Sequence, residues 1–245
     1  MLSNDELIDY LEDLYIEKNL EVTGKSLSNK RVLEAMRRVD RFLFLEDCKG
    51  FLEYAEGNLY APKELAYTNQ PLPIGFGQTC SQPETVAIMN FLLELEKEMN
   101  VLEVGSGCGY HIATVLELIH PGLGVTIEII PELSELGKRN IQKLEEKVGK
   151  KYMIEFVVGD GSKGYQKLAP YDRIYFTASA PKSFDCSSLL NQLKPNGKLL
   201  YPVDVGDGSG PLYLWKKYGD IPEVYGSFRF VPLRSMGNKG NTQIK

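Results

Sequence analysis

Several residue types are scarce in this 245-residue chain, and each shortage excludes something. Histidine occurs twice, at His111 and His120, and cysteine four times, at Cys48, Cys80, Cys108 and Cys186, with no C-x-x-C pair. That leaves no zinc-ligand spacing, no metal site and no disulfide frame; the cysteines, far apart along the chain, read as reduced thiols. No apolar run approaches the length of a membrane span. The opening Met-Leu-Ser-Asn-Asp-Glu lacks the basic start and apolar core of a signal peptide, so a cytoplasmic location without membrane contact is expected. Positive charge is also short: 28 Lys and Arg against 33 Asp and Glu give a formal net charge of −5. Such a balance disfavours a broad phosphate-binding surface, and with it a nucleic-acid partner. Hydrophobic residues, at 43%, are enough for a full core in one large domain or a domain with a helical appendage.

What is present centres on Val101-Leu102-Glu103-Val104-Gly105-Ser106-Gly107-Cys108-Gly109. The valine-bearing apolar run predicts a buried strand, the glycines a tight turn, and the apolar spacing of residues 111–119 a helix. Glycines let a backbone come close to a ligand, and the helix start beyond them offers free N–H groups and a positive dipole end. The pattern is G-x-G-x-G, not the G-x-G-x-x-G of pyrophosphate-binding turns. Glu103, two positions before the first glycine, would repel a pyrophosphate and attract an ammonium or a sulfonium. Glu128 closes a second short strand, 125–128, where an acid can accept both hydroxyls of a ribose. A nucleoside with a cationic tail is S-adenosylmethionine. The competing reading, a glycine turn in an ordinary α/β protein, accounts for the glycines but not for the two acids.

Along the chain, residues 3–18 predict a helix that Ser3 caps together with Glu6, with Leu7, Tyr10, Leu11, Leu14 and Tyr15 as its apolar stripe. Residues 28–44 predict a second helix with Val32, Met36, Val39, Phe42 and Leu43 inward and Arg31, Arg37, Arg38 and Arg41 on a solvated face. Residues 46–64 read as irregular. Residues 67–82 form a loop dense in Pro and Gly, of the kind that carries function on a rigid scaffold. Pro83 starts a helix at its tolerated first-turn position, and Ser81 or Thr79 can serve as its cap. Residues 131–148 predict a helix and 152–158 a strand ending in Gly159-Asp160-Gly161. Asp160 there stands at a strand's carboxyl end and can accept from an adenine amino group. Strands at 171–178 and 198–203, a helix at 187–193, and an antiparallel pair at 212–216 and 224–231 complete the pattern, with Leu214 and Trp215 as core. Strands alternating with helices predict an α/β doubly wound sheet. The division expected is an N-terminal helical segment, 1–66, packed as one unit on an α/β domain, 67–245.

Four stretches, in order, resemble the protein-L-isoaspartate (D-aspartate) O-methyltransferase family. They are Leu72-Pro73-Ile74-Gly75 through Gln78-Thr79-Cys80-Ser81-Gln82-Pro83, then 101–110, then Gly159-Asp160-Gly161 with Ala169-Pro170-Tyr171-Asp172, and Phe230-Val231-Pro232-Leu233. With Val32 to Met36 and Arg41 the similarity covers roughly residues 30–234. It implies a Rossmann-like class I S-adenosylmethionine-dependent methyltransferase fold with N-terminal helices. It also implies methyl transfer to the free carboxylate of isoaspartyl and D-aspartyl residues, followed by spontaneous closure to a succinimide and repair. The resemblance makes Ser81 the active-site hydroxyl. Gln78, Thr79, Cys80 and Ser81 would line the methyl donor, Glu103, Gly105, Ser106, Gly107 and Gly109 the methionine end, Glu128 the ribose, and Asp160 and Gly161 the adenine. Partners would be isoaspartyl proteins or peptides met by a monomer. Cys80 stands where the family usually has Ile, His111 where Gln is common, and Lys182-Ser183-Phe184 where Ile-Pro is usual. The 44–66 segment is longer than in typical members.

The chemistry suits a chain with no evident base. A carboxylate is ionised at neutral pH and needs only placement in line with the methyl group and exclusion of water. A serine hydrolase would need a G-x-S-x-G elbow, which Gly105-Ser106-Gly107-Cys108-Gly109 does not supply. Two rivals keep the same cofactor half: an RNA or DNA methyltransferase and a non-catalytic S-adenosylmethionine-binding module. The first commonly carries an Asn/Asp-Pro-Pro-Tyr/Phe motif where this chain has Thr177-Ala178-Ser179-Ala180.

Overall fold

The computed structural model describes residues 3–23 and 30–235, the side chains of 14–23 excepted. The expectations for Leu14, Tyr15 and Ser28 fall outside what is described. The Ser3 hydroxyl accepts from the Glu6 amide at 3.2 Å and opens α1 (Asn4–Thr23). Leu7, Ile8 and Leu11 are buried, while Tyr10, expected in the same stripe, is 53% exposed. α2 (Lys30–Arg38) buries Val32, Leu33, Ala35 and Met36. It stops earlier than the spacing predicts, because the Asp40 carboxylate takes the Phe42 amide and turns residues 41–44 into a single 3-10 turn.

Residues 46–64 are not irregular. They hold α3 (Lys49–Glu56) and α4 (Pro62–Ala66), each so short that its buried pair, Phe51 and Ala55 or Leu65 and Ala66, shows no period in the sequence. The next loop contains an antiparallel hairpin, β1 (Leu72–Gly75) and β2 (Gln78–Cys80). Then follow α5 (Pro83–Leu92), β3 (Asn100–Val104), α6 (Tyr110–Ile119), β4 (Leu123–Glu128), α7 (Pro131–Val148) and β5 (Met153–Val158). The chain closes with β6 (Tyr171–Phe176), β7 (Ala180–Pro181), α8 (Ser187–Asn191), β8 (Leu193–Asp204), β9 (Ser209–Lys216) and β10 (Glu223–Arg229).

The large sheet runs β10-β9-β8-β6-β3-β4-β5, with β7 beside β8. From β5 to β8 the neighbours are parallel, and β9 and β10 close the edge antiparallel. The chain enters at β3, winds outward through β4 and β5, and returns to the other side of β3 as β6. That reversal opens a crevice at the carboxyl ends of β3, β4 and β6, where open α/β sheets bind ligands. Successive strand residues serve opposite layers, as the pleat requires. Leu102, Val104, Val125, Ile127, Ile174 and Phe176 join one buried cluster with Leu189 of α8. Val101 and Tyr175 join the other, together with Ile112 and Val115 of α6 and Val32 and Met36 of α2. Leu214 is buried and Trp215 packs on the cluster of Leu102 and Phe176, so both serve the core. No helix among the described residues is long and apolar enough to cross a membrane.

The four arginines expected on a solvated face divide. Arg31 pairs with Glu96 at 2.8 Å, Arg37 with Asp9 at 2.8 Å, and Arg38 with Glu117 at 2.6 Å. Arg41 is fully buried.

Glu117 binds the helical segment to the sheet domain. Its carboxylate also takes Lys150 Nζ at 2.8 Å and the Tyr152 hydroxyl. Burial alone would raise this carboxyl, but Lys150, Tyr152 and Arg38 together hold it below its ordinary value. A depressed folded-state pKa stabilises the fold above the ordinary carboxylate range and stops doing so as pH falls through the folded value. Glu117→Gln should therefore cost about 2 kcal/mol at neutral pH. Melting curves should show the gap from wild type closing as pH drops below that range; a gap independent of pH would show that charge is not what holds this junction.

Candidate active site

The crevice at the switch point is a cleft that encloses about 720 Å³ of space continuous with solvent. One wall is the hairpin arm, Gln78, Thr79, Cys80 and Ser81. The floor is the glycine turn with the start of α6, and the far end is Glu128, Ile129, Ile130, Gly159 and Gly161. Thr177, Ala178 and the segment from Val231 to Arg234 complete the lining, and Arg234 Nη2 donates to the Phe76 carbonyl of the hairpin at 3.1 Å. That last segment is held to the sheet end by Ser179 N–H to Val231 O at 2.9 Å and Leu233 N–H to Ser179 O at 2.8 Å.

The turn after β3 is built by close approach. Gly105 has φ +98°, and a Cβ there would lie 2.4 Å from Thr177 Oγ1, so a side chain is excluded twice over. The Thr177 hydroxyl donates to the Gly105 carbonyl at 2.5 Å and closes the turn against β6. Gly109 caps α6 at φ +87°, and its Cβ would meet Gly137 Cα of α7 at 3.1 Å. Gly109 therefore packs α6 closely on α7 and is not among the residues lining the cleft.

Glu103 stands two residues before Gly105, at the end of β3. It is fully buried beneath the turn, does not line the cleft, and accepts from Thr126 Oγ1 at 2.6 Å and Tyr175 OH at 2.7 Å. Burial pushes its pKa up to about 8 against the pull of those two hydroxyls, and the Glu128 charge adds to the rise. It braces β3 against β4 and β6. Asp160 likewise sits between lining residues without lining the cleft itself; its Oδ1 accepts from the Ser162 amide at 2.9 Å and caps the turn that follows.

Glu128 does line the cleft. Its Oε2 accepts from the Gly107 amide at 2.9 Å and its Oε1 from the Ile130 amide at 3.0 Å. One carboxylate thus joins the end of β4 to the glycine turn, and each oxygen keeps accepting capacity.

Three lining residues that carry buried polar atoms without a protein partner are Ser106 (Oγ), Tyr110 (OH) and His111 (Nδ1). Buried polar groups ordinarily find partners, so these atoms fit a polar ligand in the cleft. The state of His111 follows from its neighbours. Thr114 Oγ1 donates to the His111 carbonyl at 2.7 Å and so accepts from Asn90 Nδ2 at 2.9 Å. Asn90 Oδ1 then faces His111 Nε2 at 3.1 Å, which makes Nε2 the donor and leaves Nδ1 as an acceptor. Burial lowers the ring to about 3. It is neutral and too weak a base to serve catalysis at neutral pH.

Three of the four cysteines, far apart in sequence, meet in space, while Cys186 lies in the other buried cluster. Cys80 of the hairpin adjoins Cys108 of the turn, which adjoins Cys48; Cys108 and burial push the Cys80 thiol up, and Cys48 and burial push up that of Cys108 against the pull of Cys80. All four are free and buried.

Ser81 is not a helix cap. The residue capping α5 is Gln82, without a side-chain bond, and the Glu84 amide is taken by Asn69 Oδ1 at 3.1 Å. The Ser81 hydroxyl has no hydrogen-bond partner among the described residues. Ser81 and Thr79 also line a second cleft, of about 760 Å³, that continues along Ser227, Phe228 and Arg229. Sequence reasoning misses Arg41 here: its guanidinium reaches the carbonyls of Ala66, Thr68, Gln70 and Ser81.

The model of the protein-L-isoaspartate(D-aspartate) O-methyltransferase family matches residues 16–238. The chain is 43% identical to protein-L-isoaspartate O-methyltransferase 2 of Archaeoglobus fulgidus over 84% of this chain and 86% of that one. It is 41% identical to the protein-L-isoaspartate O-methyltransferase of Methanopyrus kandleri over 98% and 97%. Among solved structures it resembles a putative protein-L-isoaspartate O-methyltransferase from Plasmodium falciparum in complex with S-adenosyl-L-homocysteine. That likeness has a TM-score of 0.74 at 20% identity, over 96% of this chain and 99% of the other. The fold is that of the class I S-adenosylmethionine-dependent methyltransferases.

Proposed function

Because this chain belongs to the protein-L-isoaspartate(D-aspartate) O-methyltransferase family, we infer that its two clefts divide the reaction between them, cofactor in one and acceptor peptide in the other, with Ser81 at their common wall. The enzyme methylates the free carboxylate of L-isoaspartyl and D-aspartyl residues, and the ester closes to a succinimide through which the residue is repaired. S-adenosyl-L-methionine supplies, when bound, an electrophilic methyl group on a sulfonium leaving group.

The chain's own residues provide placement. The Ser81 hydroxyl donates to the acceptor carboxylate and sets the line of approach; it attacks nothing. Glu128 accepts the ribose hydroxyls. Ser106 and His111 Nδ1 meet the amino-acid end of the cofactor, the latter as an acceptor for its ammonium. Gln78 to Ser81 cover the methyl group, and Gly159 and Gly161 border the adenine. Glu103 acts from beneath the turn by bracing the strands. With His111 neutral and no other imidazole in the cleft lining, the proposal needs no base, as a carboxylate acceptor requires none.

The same reading takes isoaspartyl proteins and peptides as the acceptors, reached in the cytosol by a monomer without nucleic acid, and residues 1–66 and 67–245 as one structural unit. A net charge of −5 supports the exclusion of nucleic acid. The observation that carries the assignment is the Ser81 hydroxyl, without a hydrogen-bond partner among the described residues and lining both clefts.

Tritiated methyl transfer to an isoaspartyl hexapeptide, with the aspartyl isomer as control, tests it. The isoaspartyl peptide should be labelled and the aspartyl one far more slowly, since its carboxylate is displaced by a methylene. Equal labelling of both would point to another acceptor.

A further inference from the structure

Arg41 follows α2 and three arginines that each pair with a carboxylate, yet it is fully buried and has no such partner among the described residues. Its Nη1 donates to the carbonyls of Ala66 and Thr68, both at 2.9 Å, and its Nη2 to those of Gln70 at 2.9 Å and Ser81 at 3.1 Å. The four N–H bonds at the tip of the fork are therefore all engaged by backbone. Its acceptors lie at both ends of the 66–81 segment, so one side chain closes the base of the loop that carries the hairpin. The guanidinium carbon stands 5.7 Å from the ring centroid of Tyr110, the first residue of α6, and so meets the cofactor floor from behind.

No ion pair balances this cation among the described residues. Burying a charge on carbonyl dipoles alone is costly, and an apolar side chain can fill a core as well. What an apolar side chain cannot do is fix four carbonyl oxygens relative to one another. A lysine cannot either, because a single ammonium presents its donors from one point whereas the guanidinium fork is flat and spreads them.

We propose that Arg41 is a positioning residue for methyl transfer: it fixes the Ser81 backbone against the start of α6, so that the helical segment governs turnover and not cofactor affinity. This rests on the reading of Ser81 as the group that orients the acceptor. Loss of the fork lets the loop breathe at its base, and displacement of a catalytic group by an ångström is enough to slow a positioned reaction by about a hundredfold. Of the cofactor's contacts, only those of Gln78 to Ser81 over the methyl group belong to this loop; those on the glycine turn and Glu128 are on other elements and stay as they are.

Arg41→Lys keeps the charge and removes the fork. It should lower kcat by about tenfold and leave the calorimetric Kd for S-adenosylmethionine within about threefold of wild type. Amide hydrogen exchange should quicken in residues 66–82 and stay constant in residues 100–128. Added to Ser81→Ala, the Arg41→Lys change should cost little more, since both act on one interaction. In Arg41→Gly, millimolar methylguanidinium should recover part of the lost turnover; should that variant not fold, the lysine variant decides alone. Unaltered kcat in Arg41→Lys, or a loss of cofactor affinity as large as the loss of turnover, overturns the proposal. Exchange separates it from the Ser81 reading. If Ser81→Ala proves fully active, that reading fails by itself, while unchanged exchange in 66–82 of Arg41→Lys shows that Arg41 does not hold the loop.

Discussion

Ser81→Ala is expected to lower turnover by roughly one to three powers of ten while S-adenosylmethionine affinity stays close to wild type. The range corresponds to one positioned hydrogen bond lost from a water-poor site, ~1.4–4 kcal/mol in the barrier. Activity should not vanish, because no covalent intermediate forms on the hydroxyl and the cofactor's placement is untouched. Melting should barely change. A cap would cost about 1 kcal/mol when removed, but the cap position of α5 belongs to Gln82, and the Glu84 amide has Asn69 as its partner. The structural contribution of Ser81 comes from its carbonyl, which accepts from Arg41 at 3.1 Å and survives the substitution. Single-turnover methylation alongside a melting curve decides the matter. A mutant that melts lower and turns over normally would remove Ser81 from the reaction.

The strand, turn and helix around Gly105 are legible in the sequence because local signals there agree: a β-branched run, glycines where the backbone takes φ +98° and +87°, and an apolar helix. The alternation that follows gives the sheet for the same reason. What escapes is whatever depends on partners distant in sequence. Arg41 looks like its neighbours Arg37 and Arg38, and only the return of residues 66–81 to its side buries it. Glu103 carries the right type for contact with a cation, yet Thr126 and Tyr175, on flanking strands, take its oxygens and enclose it. Gly109 belongs to the motif, but the reason for it is Gly137, one helix away. α3 and α4 are too short to display a period at all.

Glu128→Ala should weaken S-adenosylmethionine binding by ~1.5–3 kcal/mol, the range for lost charge-assisted hydrogen bonds, or about 10- to 150-fold in Kd. The sequence suggests that the fold would not notice, since the residue ends a strand and fills no core. The hydrogen bonds argue otherwise. Alanine strips the Gly107 and Ile130 amides of their acceptor as well as any ribose hydroxyls, so the glycine turn loses its tie to β4 and melting should fall too. Glu128→Gln separates the two effects. It keeps one carbonyl acceptor but sets an NH₂ group against one of the two amides, and it removes the charge that helps raise Glu103. The glutamine variant should therefore retain more stability than the alanine one and still bind S-adenosylmethionine more weakly than wild type. Calorimetry on both variants, at a temperature where both are folded, reads the cofactor contribution apart from the turn. If both melt lower but bind with wild-type affinity, Glu128 braces the turn only, and the ribose must find its acceptors elsewhere in the cleft.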